Sequence, residues 1–246
     1  MAKVVLVHGA FNELWGPNEI RSRWVPALRD GLWHHGATIG DEDVAVCFYG
    51  DLFRRDPMAA DAEAFEQSRA GVEEMLTKLG DGLGLEALSQ AASDAAFDRT
   101  VDMVTTMATV PDLPARIAER IEREVTAETR VIVGHSLGSV VSYQALRRHP
   151  EWDVRMLVTL GSPLGQRMIL DQLQPPVEAG AGWPGSIERW VNVAAVGDHA
   201  AAVHRLAEVY DPRIEDVRVD NGHRAHDPEP YLNAAVTGAA VAAALA

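Results

Sequence analysis

A serine and the residues around it are the strongest chemical signal in the sequence. The segment Gly134-His135-Ser136-Leu137-Gly138 follows a β-branched run, Val131–Val133, and precedes an apolar helical pattern. A strand–turn–helix of this kind reverses so sharply that small residues are needed two before and two after the serine. The turn raises the serine hydroxyl above the sheet edge, where the N-terminal N–H groups of the following helix stabilise a developing negative charge. We therefore predict Ser136 as a nucleophile.

A serine nucleophile needs two partners, which the later part of the chain offers. A neighbouring base must accept the hydroxyl proton, and a third group must hold that base in one tautomer. Loops after the strands of a parallel sheet converge on one edge, so both partners are expected there. Asp198 follows the apolar run Trp190–Val196, and His226 lies in a loop after a last predicted strand, Arg213–Val219. We predict Asp198 as the acid and His226 as the base.

Alternatives remain for both partners. Asp211 and Asp220 could replace Asp198, because a loop aspartate often serves only to cap a turn. His223 could replace His226 as the base. The pair of histidines could also bind a metal, but no third or fourth ligand stands at a suitable spacing. We therefore expect no metal. Glycine-rich motifs that bind phosphate are also absent, so we expect no nucleotide cofactor.

A second glycine turn follows the first predicted strand, Lys3–Val7. The strand ends at His8-Gly9-Ala10-Phe11. Gly9 lets the backbone turn closely above the sheet edge and leaves the next N–H free. Because the two glycine turns are expected at the same edge, we predict that their neighbours His8, Phe11 and His135 contact the substrate.

Strands alternate with helical patterns over most of the chain, which indicates βαβ units. Further strands are predicted at Val44–Tyr49 and Val154–Leu160, and the continuous apolar runs are typical of strands buried on both faces. Amphipathic helices are predicted at Trp24–Trp33, with a proline near the start, and around Ile117–Val125. An alanine-rich helix begins near Pro228. The predicted fold is α/β, a mostly parallel doubly wound sheet with helices on both faces.

The segment 56–110 interrupts this alternation. It carries two helical patterns, Ala62–Leu79 and Leu85–Met107, separated by a glycine-rich turn, 80–84. The insertion is either a cap over the site or a pair of helices on the flank of the sheet. In the first case Met103 and Met107 are expected to contact the substrate, because methionine adapts to apolar chains of several lengths.

Length and composition are those of an ordinary globular protein. The chain has 246 residues, 47% hydrophobic and 24% charged, which predicts a single domain over residues 1–246. A formal net charge of −14 argues against nucleic acid and anionic bilayers as partners. The single cysteine, Cys47, lies in an apolar run and excludes an internal disulfide. We see neither a signal peptide nor a membrane-spanning run, so a cytoplasmic location without stable membrane insertion is expected. The oligomeric state is left open.

At these motifs the sequence resembles the α/β-hydrolase superfamily, in particular its lipase-like and GPI-inositol-deacylase-like serine esterases. The resemblance covers Lys3 to Leu232 apart from the insertion and the loop 174–185. It is carried by four segments: Val7–Gly9, Gly134–Ser139, Thr159–Gly165 and His226–Leu232. The resemblance implies an α/β-hydrolase fold, with Ser136, His226 and Asp198 as a triad.

The same resemblance implies an oxyanion hole formed by the backbone N–H groups of Ala10 and Leu137. The expected activity is hydrolysis of a carboxylic ester through an acyl-enzyme, on a small-molecule ester or acyl substrate. A thioesterase or acyltransferase with the same triad is one alternative, since exclusion of water separates transfer from hydrolysis. A non-catalytic ligand-binding homologue is the other, because a fold does not select a function.

Overall fold

Short parallel strands form a single sheet in the computed structural model. The model describes residues 2–54, 62–82, 102–103, 105–106, 109–110, 112–173, 175–177 and 182–246. Within these residues the strands are β1 (Val4–Val7), β2 (Val44–Cys47), β3 (Val131–His135), β4 (Met156–Leu160), β5 (Arg189–Ala195) and β6 (Glu215–Val219). Their order is β2-β1-β3-β4-β5-β6, and all neighbouring pairs are parallel. The predicted α/β class is confirmed, and the sheet is consistent with an α/β-hydrolase fold.

Helices cover both faces of the sheet. They are α1 (Pro17–Trp33), α2 (Ala62–Gly82), α3 (Leu113–Glu124), α4 (Leu137–Arg148), α5 (Arg167–Leu170), α6 (Pro228–Leu232) and α7 (Ala235–Leu245), with 3₁₀ turns at Gly50–Phe53, Leu206–Glu208 and Gly222–Arg224. The side chains of β1 enter two hydrophobic cores in alternation, one on each side of the sheet, because successive side chains of a strand point to opposite faces. Val4 and Leu6 pack with α1, α6 and α7, whereas Val5 and Val7 pack with α3 and α4. The doubly wound arrangement is thereby confirmed.

Helix α1 differs from its prediction at the N-terminal end. It begins at Pro17 rather than near Trp24, and Pro26 lies inside the helix instead of near its start. Pro17 occupies the first turn, where a missing N–H costs nothing. Pro26 is exposed, so its ring faces away from the core that Trp24 and Leu28 enter. A helical pattern can therefore continue through a proline that points to solvent.

The first and last long helices pack with their backbones in contact. A Cβ atom built on Gly31 of α1 would lie 2.4 Å from the carbonyl oxygen of Leu232. One built on Gly238 of α7 would lie 1.9 Å from the carbonyl oxygen of Gly31. Neither position has room for a side chain, and the close approach closes the core on this face of the sheet.

The insertion is described in part. The first predicted helix is confirmed as α2, but it continues through Gly80 to Gly82, where a turn was predicted. Most of the second predicted helix lies outside the described residues, and so does Met107. No helix in the described ranges combines the length and the hydropathy needed to cross a membrane. Cys47 is buried and free.

Candidate active site

Ser136 occupies a strained turn between β3 and α4. Its backbone has φ 52° and ψ −126°, a conformation that residues other than glycine rarely adopt. Such a conformation costs on the order of 1–3 kcal/mol and persists only where the surroundings enforce it. The Ser136 N–H donates to the carbonyl of Leu160 (2.9 Å), and the hydroxyl of Ser139 donates to the carbonyl of Ser136 (2.6 Å). The end of β4 and the first turn of α4 thus hold the turn.

The two glycines of the motif are required by close approach of the backbone. A Cβ atom on Gly134 would lie 2.6 Å from the carbonyl oxygen of Gly138, across the turn. A Cβ atom on Gly138 would lie 2.2 Å from the carbonyl oxygen of Val7, in the neighbouring strand β1. Gly9 has a similar role, because its Cβ would lie 2.7 Å from the Cβ of Ser136. The spacing of small residues therefore has a steric cause.

Ser136, His226 and Asp198 form a continuous hydrogen-bonded chain. The distance from Ser136 Oγ to His226 Nε2 is 3.0 Å. His226 Nδ1 lies 2.9 Å from both carboxylate oxygens of Asp198. Since the carboxylate can only accept, Nδ1 carries the proton and Nε2 is free to accept the proton of the serine hydroxyl. This is the geometry of a nucleophile, its base and an orienting acid.

Asp198 is buried among donors. Tyr231 donates its hydroxyl to Oδ2 (2.6 Å), and the backbone N–H of Ala200 donates to Oδ1 (2.9 Å). Burial opposes ionisation of this carboxyl group. The hydrogen bond and charge of His226, together with the Tyr231 and Ala200 donors, nevertheless hold the pKa of Asp198 below its usual value. Asp198 is therefore an anion that can stabilise a positively charged imidazole.

The alternative partners lie elsewhere. Asp211 forms an ion pair with Arg213 (2.9 Å), and Asp220 accepts the N–H of Gly222 (2.9 Å). His223 is exposed in the last 3₁₀ turn. The structure thus brings Asp198 and His226 to Ser136 and leaves the three alternatives outside the chain of hydrogen bonds.

His135 holds the backbone of the histidine loop. Its Nε2 lies 2.8 Å from the carbonyl oxygen of His226, so Nε2 carries a proton and donates it to that oxygen. Its ring lies 4.8 Å from that of His226 and meets Trp24 edge-on. Burial, assisted by the neighbouring charge of His226, lowers the pKa of His135 to about 3, which keeps the ring neutral.

His8 holds the turn after β1 in a similar manner. Its Nδ1 lies 2.6 Å from the carbonyl oxygen of Gly9, and its Nε2 accepts the backbone N–H of Tyr49 (3.0 Å). The Tyr49 hydroxyl donates to the His8 carbonyl. Burial lowers the pKa of His8 to about 4. Backbone groups thus engage both ring nitrogens of His8 and Nε2 of His135, and contact of these residues with a substrate stays a prediction.

The N–H groups of Ala10 and Leu137 belong to the residues that follow Gly9 and Ser136, which lie against each other. Ala10 comes from the turn after β1, and Leu137 is the first residue of α4. Among the backbone hydrogen bonds of the described chain, neither N–H has an acceptor. Two such donors beside a nucleophile are able to stabilise the oxygen anion of a tetrahedral intermediate.

A cavity of about 250 Å³ adjoins the turn after β1 and the insertion. Its apolar walls are Ala10, Phe11, Leu14, Phe53 and Met103, and its polar walls are Glu13, Arg54, Asp102 and Thr106. Phe11 and Met103, both predicted to contact substrate, lie in this one cavity. The insertion therefore reaches the loop that follows β1.

Three supporting residues were missed by the sequence analysis. Tyr231 lies within a segment that carries the resemblance, but nothing local indicates a bond to Asp198. Gly161 follows β4 with φ 54°, and a Cβ there would lie 2.7 Å from Asp198 Oδ2. Asn12 follows the first glycine turn and donates to two carbonyl groups. A polar residue directly after a glycine turn was the only sequence signal for Asn12.

No protein-family model matches the chain, and no curated protein matches its sequence. Among solved structures, the chain is similar to the crystal structure of the esterase domain from a Rhodothermus marinus protein. The two are 14% identical, and the match covers 98% of this chain and 86% of that chain with a TM-score of 0.41. The similarity concerns the path of the chain alone.

Proposed function

We propose that the protein is a serine hydrolase that cleaves a carboxylic ester through an acyl-enzyme. The observation that carries the proposal is the chain from Ser136 Oγ through His226 to Asp198, with distances of 3.0 and 2.9 Å. The strained backbone of Ser136 supports it, because such strain concentrates at functional sites. The lipase-like and GPI-inositol-deacylase-like type of esterase is the form that the sequence motifs favour.

The reaction begins with attack of Ser136 Oγ on the ester carbonyl carbon. His226 Nε2 takes the hydroxyl proton, and Asp198 stabilises the resulting imidazolium. The carbonyl oxygen becomes an anion that the N–H groups of Ala10 and Leu137 bind. When the tetrahedral intermediate collapses, His226 gives its proton to the leaving alcohol. Water then attacks the acyl-enzyme by the same sequence and releases the acid.

The test is labelling by a fluorophosphonate, which phosphonylates an activated serine with loss of fluoride, together with turnover of a p-nitrophenyl ester. Wild type should be labelled, and Ser136→Ala should lose both labelling and activity while folding normally. A residual rate roughly 10³-fold over water would remain from binding and the oxyanion site. Unchanged turnover by Ser136→Ala would refute the proposal.

Two matched pairs of variants test the roles of His226 and Asp198 in the proposed triad. His226→Ala should be about as damaging as Ser136→Ala, because triad members act as a unit. His223→Ala, three positions away, should retain activity. Asp198→Asn should lower kcat strongly through the wrong histidine tautomer, whereas Asp220→Asn should not. The reverse result in either pair would transfer the role to the second residue.

The cavity beside Ala10 supports an apolar acyl or alcohol group as part of the substrate. Phe11, Leu14, Phe53 and Met103 form its apolar wall. In this proposal the insertion is a cap that contributes Met103 to substrate binding. A thioesterase would use the same groups, and parallel assays with acyl thioesters and oxygen esters of one chain length distinguish the two activities.

A further inference from the structure

The side chain of Asn12 holds two consecutive peptide groups of the turn after β1. Its Nδ2 donates to the carbonyl oxygens of Gly9 and Ala10, at 3.0 Å in each case. Both partners can only accept, so the side-chain amide nitrogen must be the atom that faces them. His8 Nδ1, at 2.6 Å, gives the Gly9 carbonyl a second donor from another side. The Gly9 carbonyl is thus fixed in direction.

The direction of a carbonyl determines that of the N–H in the same peptide. The peptide group is planar and trans, so the N–H of the following residue points away from the carbonyl. Fixing the Gly9 carbonyl therefore fixes the N–H of Ala10. We propose that Asn12 is a positioning residue of the oxyanion site, which aims the Ala10 N–H at the oxygen of the carbonyl under attack by Ser136. This inference depends on the proposed function.

The turn needs such support because its backbone is not relaxed. Phe11 has φ 65°, in the left-handed region that residues with a side chain seldom occupy. The loop after β2 packs against the turn, since a Cβ atom on Gly50 would lie 2.4 Å from the carbonyl oxygen of Asn12. That packing positions the backbone of Asn12, and the side chain then reaches back to the two carbonyls. The Asn12 amide, together with His8, thereby sets the direction of the oxyanion donor.

The experiment compares Asn12→Ala with Asn18→Ala. Asn18 is exposed on the first turn of α1, six positions away, and offers the same substitution outside the site. Each variant is assayed with a p-nitrophenyl ester and with a trifluoromethyl ketone. Ser136 Oγ adds to the ketone carbon, its proton moves to His226, and the ketone oxygen becomes an anion in the oxyanion site. The inhibition constant of the ketone therefore includes the stabilisation of that anion, whereas Ser136 and His226 are the same in both variants.

Loss of an entire oxyanion donor lowers kcat by about 10²–10³-fold, so a misdirected donor should lower it by about 10–100-fold. The ketone should bind Asn12→Ala more weakly by the same factor. KM should stay within about two-fold, because the contact forms only in the transition state. Asn18→Ala should match wild type in all three quantities.

Two outcomes overturn the proposal while leaving the proposed function standing. One is an unchanged kcat and inhibition constant in Asn12→Ala. The other is a lower kcat with unchanged ketone affinity, which would place the loss outside the oxyanion site. If Asn12→Ala does not fold, as judged by circular dichroism, Asn12→Ser takes its place in the same comparison. Wild type that resists fluorophosphonate labelling, with active Ser136→Ala, would overturn both the proposed function and this inference.

Discussion

Replacement of Gly161 by alanine tests how closely the acid and base are packed. Gly161 follows β4 with φ 54°, and its missing Cβ leaves space for Asp198 and His226. An alanine Cβ would lie 2.7 Å from Asp198 Oδ2 and 3.2 Å from His226 Nδ1. The carboxylate would have to retreat by about 0.7 Å to reach the 3.4 Å at which ordinary contact begins. A misplacement near 1 Å can cost about 10²-fold, so we expect kcat/KM to fall by about that factor, or roughly 2.7 kcal/mol.

The matched control for this substitution is Gly36→Ala. Gly36 has φ 64°, but nothing lies within 4 Å of its missing Cβ. Both variants therefore carry the left-handed backbone strain of an alanine, about 1–2 kcal/mol, and only Gly161→Ala also displaces the catalytic groups. Unfolding free energies and ester turnover should be measured for both. Activity of Gly161→Ala within about three-fold of Gly36→Ala would show that the acid and base tolerate the displacement, and would refute the reasoning.

Three further predictions concern the surroundings of the site. Tyr231→Phe removes one of the donors that hold the pKa of Asp198 below its usual value, so Asp198 should be protonated at a higher pH. The acidic limb of the kcat/KM profile should move to higher pH, and an unchanged profile would contradict this. The pKa values of His8 (about 4) and His135 (about 3) lie below the unfolded value of 6.5. Below pH 6.5 the unfolded chain therefore binds protons that the folded protein does not, and the unfolding free energy should fall by about 1.4 kcal/mol per pH unit for each histidine down to about pH 4. Denaturant unfolding at pH 6.5 and 4.5 checks this, and equal free energies would be inconsistent with neutral buried rings. Met103→Ala should lower kcat/KM for medium-chain esters more than for acetate, by about 1–3 kcal/mol, and an equal loss on both would exclude a role in chain recognition.

The proximity of Ser136, Asp198 and His226 could be anticipated because each follows the end of a strand or lies in the last loop. Their positions depend on sheet topology, and parallel strands bring their carboxyl ends to one edge. The alternation of apolar runs was enough to predict that topology. The sequence left Asp211 and Asp220 open as alternatives, and only the structure places Asp198 against His226.

The supporting contacts could not be predicted in the same way. Tyr231 reaches Asp198 only because α6 packs on the sheet, and that packing involves α1, which is distant in sequence. The bond from His135 to the His226 carbonyl could not be anticipated either, because the two residues are 91 positions apart. The ring of His135 meets Trp24 edge-on. Strand β2 ends at Cys47, although the apolar run predicted a strand through Tyr49, because the Tyr49 N–H bonds to His8 instead of extending the ladder.

The contact between Gly31 of α1 and Gly238 of α7 has a consequence for synthesis. The apolar stripe of α1, which includes Trp24 and Leu28, is covered by a helix that the ribosome delivers about 200 residues later. At about 5–20 residues per second, that interval lasts on the order of 10–40 seconds. During this time the stripe is available to chaperones or to other nascent chains. His226 also arrives late, so the proposed hydrolase activity should appear in a translation reaction only after this helix packing can form.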